Sequence, residues 1–492
     1  MKSMRCIQRW SAAILGLGLA VALAPVLRAQ EPAQSTSAAS SDATTAPSAA
    51  DTQKRLDDLQ KELTELQGQI AALKAAQQAA PSIKTAALTS PSPSPSEMAP
   101  APVAADAPPK VTLGSLLGNT SFSGFVDAYY GFNSNHPFNN DSGLRFFDEK
   151  TNAFSLNMAE LIVDHAPDAT SSESRFGYHV AAGYGQAARI VNGSDIAGDG
   201  SNFYIKEAYG SYLAPIGKGL KIDVGKFVTQ MGDEVIETNA NWNYSRSILF
   251  YYAIPYFHFG ARATYVLNSK WQVIGLLVNG WNNSFIDRTS GVGQSAGLTY
   301  HGEVIWTPNS KWSVTTMYMA GPVIDAYNLN AADNTYTIND WKQLSDTIVT
   351  YTPNAKWAFA IDGDYGFGPR SYACEGTCTA SPAVKWWGPA GYAKYTFNPK
   401  SNFAVRYEYY DDPQGYTGLL VNPLNGSSLG GGHAQEVTGT YSYNLTSGLL
   451  VRAEYRHDFA SQPIFLKGSG GAIKEQNTAV LGFVYSFNSP TK

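Results

Sequence analysis

Small or apolar residues alternate with polar ones in short runs from about Ser121 to Phe487. The runs are separated by tight turns and by long polar segments in turn. A period of two places successive side chains on opposite faces of a strand. Sixteen such runs can be marked, at 121–131, 153–165, 174–186, 202–214, 219–229, 256–267, 270–281, 294–307, 311–321, 343–353, 356–366, 385–397, 401–410, 434–445, 448–459 and 476–487. The tight turns recur in form: Leu267-Asn268-Ser269-Lys270, Pro308-Asn309-Ser310-Lys311, Pro353-Asn354-Ala355-Lys356, Pro399-Lys400-Ser401 and Leu445-Thr446-Ser447-Gly448. Short turns on one rim, long loops on the other and an even strand number predict an all-β fold. That fold is a transmembrane antiparallel up-and-down β-barrel of about 16 strands over residues 118–492. With the N-terminus in the periplasm, every short turn falls on the periplasmic rim and every long loop outside.

Faces can be assigned where the alternation is cleanest. Phe403, Val405, Tyr407 and Tyr409 share one face, with Arg406 and Glu408 on the other. Val451, Ala453 and Tyr455 oppose Arg452, Glu454, Arg456 and Asp458, and Leu481, Phe483, Tyr485 and Phe487 form a last apolar stripe. Charge is costly at the lipid midplane, so the charged rows are expected to face the lumen. A soluble β-sandwich also alternates, but sixteen strands with charges on their inner rows do not suit its Val/Ile-rich core.

The residues before the barrel read differently. Met1–Ala29 has a positive start (Lys2, Arg5, Arg9), an apolar stretch over Ala12–Leu27 and a Leu27-Arg28-Ala29 cleavage site, which predicts a signal peptide over 1–29. An uncleaved anchor is the alternative, disfavoured by the short apolar run and Pro25. A disordered linker is expected over 30–50. Leu56, Leu59, Leu63, Leu66, Ile70 and Leu73 then recur at heptad spacing, which predicts a short periplasmic coiled-coil helix over 51–78. So short a helix is marginal alone. Self-association, as in a homotrimer, would stabilise it; an amphipathic helix without a like partner is the alternative. An Ala/Pro-rich linker over 79–117, with Pro91-Ser92-Pro93-Ser94-Pro95, completes the tether.

Composition adds to this picture. Mean hydropathy is −0.21, as for a soluble protein, which a barrel with a wet lumen also gives. Aromatic residues make up 12 %, with 29 Tyr and 10 Trp, a usage suited to interfacial girdles. The formal charge is −5, and loss of Lys2, Arg5, Arg9 and Arg28 with the leader takes it to −9, so no basic surface points to nucleic acid. Cys374 and Cys378, in Cys-Glu-Gly-Thr-Cys, read as a local disulfide in a loop; half a metal site is the alternative, with no matching Cys or His pair nearby.

The chemistry that remains sits in the third long loop, Gln230–Pro255. It carries Asp233, Glu234, Glu237 and Arg246 together with the run Ile248-Leu249-Phe250-Tyr251-Tyr252. A loop with that much apolar content is expected to fold into the lumen and set its charges at a constriction; packing on a neighbouring subunit is the alternative. The opposing wall would offer Arg262, Arg406, Glu408, Arg452, Glu454 and Arg456. Acids facing arginines across a gap make a transverse field that admits small polar solutes. The same residues could instead only satisfy one another, as Arg406 with Glu408 or Arg452 with Glu454.

The segments Val224-Gly225-Lys226-Phe227, Gly232-Asp233-Glu234, Asn243-Tyr244-Ser245-Arg246-Ser247 and Ile254-Pro255-Tyr256-Phe257-His258-Phe259-Gly260-Ala261-Arg262 resemble the OmpL-like β-barrel porin family. So do Arg406-Tyr407-Glu408-Tyr409, Asp411-Asp412-Pro413 and Arg452-Ala453-Glu454-Tyr455-Arg456-His457-Asp458. The resemblance spans about Ser121 to Phe487 and implies a barrel and a porin, with no substrate. The terminal Val484-Tyr485-Ser486-Phe487 resembles an outer-membrane assembly signal, with five residues beyond it. The N-terminal coil is similar to that of phosphate-selective porins, but no Lys/Arg ladder accompanies it here.

The expectation is therefore an outer-membrane porin for passive diffusion of small hydrophilic solutes or ions, in contact with outer-membrane lipid. A structural or adhesive anchor, tied to the cell wall through the coil, is the competing class. An enzyme is not expected. His179, His258, His301 and His457 stand singly on strands, and the Ser, His and acidic residues form no recognisable nucleophile setting.

Overall fold

A computed structural model describes residues 120–488, apart from positions 173, 289–293, 325–328, 331–334, 337–339, 369–382 and 469. The leader, both linkers, the coiled-coil helix and the Cys374/Cys378 pair lie outside the described residues.

Sixteen antiparallel strands close into one barrel. They are β1 (Ser121–Asn133), β2 (Ala153–His165), β3 (Phe176–Tyr184), β4 (Phe203–Ala214), β5 (Leu220–Val228), β6 (Phe257–Asn268), β7 (Trp271–Val278) and β8 (Thr299–Asn309). They continue as β9 (Trp312–Val323), β10 (Asp340–Tyr351), β11 (Trp357–Phe367), β12 (Lys385–Asn398), β13 (Ser401–Asp412), β14 (Gly432–Thr446), β15 (Leu449–Ala460) and β16 (Glu475–Asn488). Each pairs with its neighbour in sequence, and β16 closes on β1 from Ser123↔Asn488 to Asn133↔Thr478. Among the described residues, two helices, α1 (Gln186–Gly193) and α2 (Ile248–Tyr252), sit in the long connections.

All sixteen expected strands are present, and the largest differences lie around one loop. The run at 270–281 stops at Val278 and that at 294–307 starts at Thr299. Gly280, at φ +128°, turns the chain off the ladder there.

The tight turns share one device. The Asn268, Asn309, Asn354 and Asn398 side chains each accept the backbone N–H of the lysine two residues on, all at 2.9 Å. This side-chain mimic of a backbone turn explains why Asn-x-Lys recurs at that rim.

Burial alternates as the charge pattern requires. On β13, Ala404, Arg406, Glu408, Tyr410 and Asp412 are buried, whereas Phe403, Val405 and Tyr407 are exposed. On β15, Arg452, Glu454, Arg456 and Asp458 are buried and Tyr455 is exposed. The exposed face carries Val224, Leu277, Ile361, Val405, Val437 and Leu481 between two aromatic belts. At the turn end the belt includes stacked Trp271–Trp306 (5.6 Å between centroids) and Trp312–Tyr351 (4.2 Å). At the other end it includes Tyr130, Phe154, Tyr184, Phe203, Tyr300 and Tyr318, of which Tyr130 and Phe154 lie 5.0 Å apart. An apolar band between aromatic girdles is the outer surface of a bilayer-spanning barrel.

That surface makes a testable claim on stability. Val405→Arg puts a charge on the apolar band of a central strand and is expected to cost about 2–4 kcal/mol. Denaturant unfolding of the barrel in lipid vesicles measures this, with Asn402→Arg, near the rim, expected to cost much less.

Candidate functional site

Residues 229–256 join β5 to β6, yet their hydrogen bonds run to strands far around the barrel. The segment's first hydrogen bond to a distant strand comes from Gly232, whose φ of +87° suits glycine. Its N–H donates to Asp346 Oδ2 on β10 (2.6 Å), and the next amide, Asp233, donates to Asp362 Oδ2 on β11 (3.1 Å). Thr238 Oγ1 and the Tyr244 hydroxyl donate to the two oxygens of Asp127 on β1, at 2.6 and 2.8 Å.

The remaining contacts go to β13, β14 and β15. Glu408 accepts the N–H groups of Ile248 (2.6 Å) and Leu249 (3.1 Å), the first two residues of α2. Ser247 caps that helix by accepting from Phe250 N–H at 3.0 Å. Glu454 accepts the N–H groups of Tyr244 (2.6 Å) and Ser245 (3.1 Å). The arginines take the carbonyls. Arg452 donates to those of Thr238 (2.5 Å), Asn241 (2.6 Å) and Asn243 (2.9 Å), Arg406 to Ser245 O (2.7 Å) and Arg456 to Arg246 O (2.8 Å). On β14, Thr440 Oγ1 accepts from the Asn243 amide at 2.8 Å. A buried segment with little secondary structure of its own must find partners for its backbone polar groups. The alternating Glu and Arg rows supply both signs.

Two glycines on the wall make room for it. A Cβ at Gly482 on β16 would lie 2.4 Å from the Tyr244 ring, and one at Gly388 on β12 would lie 2.9 Å from Leu249. Ile248, Leu249 and Phe250 are buried there, as the apolar run in the sequence suggested.

Of the expected constriction and wall residues, all but Arg262 lie in this segment or bond it, in a different geometry. The sequence reading set acids and arginines on opposite sides of a gap. Glu234 instead meets Arg406 directly at 2.5 Å, both buried, and Arg406 Nε reaches Glu436 at 2.5 Å. Arg456 pairs with Asp458 at 2.7 Å. Glu237 bonds Lys206 of β4, and Arg246 turns back on the segment's own Ile236 and Tyr244 carbonyls. Arg262 is held by Asp223 at 2.8 Å and has no hydrogen bond to residues 229–256. Charges that touch in this way neutralise one another, so the field between them collapses to short range.

Sequence reasoning missed several participants. Arg145, in the loop after β1, bonds Asp148, Glu454 (3.0 Å) and Thr478 (3.0 Å), which ties a second long connection to the same wall. Asp127, Glu436, Asp346 and Asp362 each bind a neighbour on that wall or the segment, and Asp364 has no hydrogen-bond partner among the described residues. The alternation of β10 and β11 carried a signal for the three aspartates, since Asp346 pairs with Asp364 and Asp362 lies two residues on. Burial raises the Asp233 carboxyl from its ordinary 3.8 to about 7. Asp362 and Glu234 push the same way, and Lys394 opposes them.

Three of the four histidines noted in the sequence hydrogen-bond a neighbour, and His301 has no hydrogen-bond partner among the described residues. His179 meets Asp164 at 2.8 Å, His258 meets Gly280 O at 2.9 Å and His457 meets Asn477 at 3.0 Å, while His301 lies 3.8 Å from Glu303. Among the described residues no group of three or more His, Cys, Asp or Glu is arranged to hold a metal ion.

A closed sixteen-stranded barrel, apolar outside and charged within, defines a β-barrel porin. The chain belongs to the OmpL-like β-barrel porins: residues 119–487 match the family model described as "Putative beta-barrel porin-2, OmpL-like". Among solved structures, the outer membrane channel DcaP of Acinetobacter baumannii is 13 % identical, covering 75 % of this chain and 98 % of that one, at a TM-score of 0.48. An anion-selective porin from Comamonas acidovorans is 11 % identical, covering 75 % and 99 %, at 0.48. OprB of Pseudomonas putida is 13 % identical, covering 76 % and 96 %, at 0.48. No curated protein matches the chain.

The anchoring of the segment can be measured. Arg406→Met leaves Glu234 and Glu436 buried without their shared counter-charge and is expected to cost about 3–5 kcal/mol in denaturant unfolding. Hydrogen exchange of residues 229–256 is expected to quicken in that variant. It should stay near wild type in Arg262→Met, whose ion pair does not touch the segment.

Proposed function

We propose that the protein is an outer-membrane porin through which small hydrophilic solutes or ions diffuse passively, with residues 229–256 folded into the lumen as its constriction. The observation that carries this reading is the set of hydrogen bonds from that one connection to β1, β10, β11, β13, β14 and β15. A connection between β5 and β6 reaches those inner faces by crossing the barrel. The family match and the apolar band between aromatic girdles support the outer-membrane setting. In this reading Asp233, Glu234, Glu237 and Arg246 belong to the constriction segment. Arg406, Glu408, Arg452, Glu454 and Arg456 are its wall anchors, while Arg262 lies apart on the wall.

In this reading the water path runs past Asp233 and Lys394, which interact across it. Planar-bilayer recording of the purified protein tests this: discrete, ohmic conductance steps are expected, and a sealed barrel would end the reading. The pH dependence has a definite sign. Asp233 is neutral well below pH 7 and anionic well above it. The cation-to-anion permeability ratio should therefore rise from pH 6 to pH 8, and Asp233→Asn should flatten that rise.

The reading extends to assembly. Residues 51–78 are proposed to associate as a coiled coil in a homotrimer, with the cell wall as a further contact. Deletion of residues 31–117 should leave single-channel conductance unchanged while weakening the oligomer in cross-linking. Loss of conductance would mean that the tether is part of the pore.

A further inference from the structure

At the long-loop end of the barrel lies a cavity of about 440 Å³, within the range of small-molecule sites. Its lining is drawn from connections and strand ends all around the mouth. Lys342 sits among aromatic rings: its Nζ lies 3.8 Å from the centre of the Trp281 ring, 5.4 Å from Tyr416 and 5.8 Å from Trp386. No ion pair involves it among the described residues, in contrast to Lys150, Lys206, Lys221 and Lys226. The rings are ordered against one another. Trp281 and Trp386 meet edge to face at 6.0 Å, and Trp386 stacks on Tyr416 at 5.3 Å. Trp386 Nε1 is used by Ala253 O at 3.1 Å, but the buried Trp281 Nε1 has no hydrogen-bond partner among the described residues. Gln294 adds an exposed amide to the lining.

We infer that this cavity is a binding site for small aromatic carboxylates at the entrance of the pore, an assignment that rests on the porin reading and gives it a solute class. Each part of the lining matches one part of such a ligand. Lys342 has ring faces and, among the described residues, no carboxylate beside it, so a ligand carboxylate would be its first counter-charge. Flat ring faces contribute only to a ligand with a flat apolar body. A bare phosphate gains nothing from them, and a neutral aromatic leaves Lys342 unanswered.

The probe is benzoate, added to the full-length protein in planar bilayers on the long-loop side. Wild type should show concentration-dependent current block, and Lys342→Gln should conduct normally with the block weakened about tenfold or more, as expected for loss of a charge-assisted bond. Lys342→Arg should retain most of it. Benzyl alcohol and inorganic phosphate should block weakly at the same concentrations. Equal block of wild type and Lys342→Gln, equal block by benzyl alcohol, or no block by benzoate in a conducting wild type would overturn the assignment while leaving the porin intact. A wild type that does not conduct would instead refute the porin reading. Benzoate titration of tryptophan fluorescence in detergent, wild type against Lys342→Gln, then decides the site by itself, a difference upholding it and identical curves overturning it.

Discussion

The constraint on which the rest depends is the fate of backbone polar groups in a buried connection. Residues 229–256 have one short helix, α2, and otherwise no ladder of their own. Their amides and carbonyls would be orphaned inside a barrel, at a cost comparable to several lost hydrogen bonds. The wall answers with charged side chains of both signs: Glu408 and Glu454 accept amides, and Arg406, Arg452 and Arg456 donate to carbonyls. Burying so many charges is itself costly, and pairing alone does not always offset it. Here each charge also ties down a backbone group, so the network specifies one position for the segment as well as stabilising it.

This arrangement explains why the inner rows are so uneven. Around β13 to β15 the wall alternates Arg and Glu and is filled by two long connections, one anchored through Arg145. On β7 and β9 the corresponding buried positions are Ile274, Leu276, Met317 and Met319, which offer no partner to a polar backbone. The two parts of the wall thus differ: one carries the charged anchors, and the other is apolar at its buried positions.

Much of the fold was legible in the sequence because its signals are local. Alternation along β13, β15 and β16 needs only neighbours two residues apart, and Asn-x-Lys announces a turn within three residues. Of the apolar run at 248–252, Ile248, Leu249 and Phe250 are buried. What was not legible depends on which strands face each other. Nothing near Arg406 in sequence says that it meets Glu234 rather than Glu408, or that Glu237 meets Lys206. Arg262 looked equivalent to the other arginines, yet Asp223 on the adjacent strand claims it. Lys342 carried no sign at all, since its ring neighbours Trp281, Trp386 and Tyr416 come from three other parts of the chain.

The seam where β1 meets β16 has a consequence for assembly order. Thr238 and Tyr244 bond Asp127 on one side of that seam, while neighbouring residues of the same segment bond Arg452 and Glu454 on β15, just beyond its other side. The segment therefore straddles the joint like a latch. During biogenesis its docking partners are complete only after the last strands have been delivered and the cylinder has zipped shut. Until then the anchors have nothing to hold, and opening the finished cylinder at that joint requires the latch to let go first.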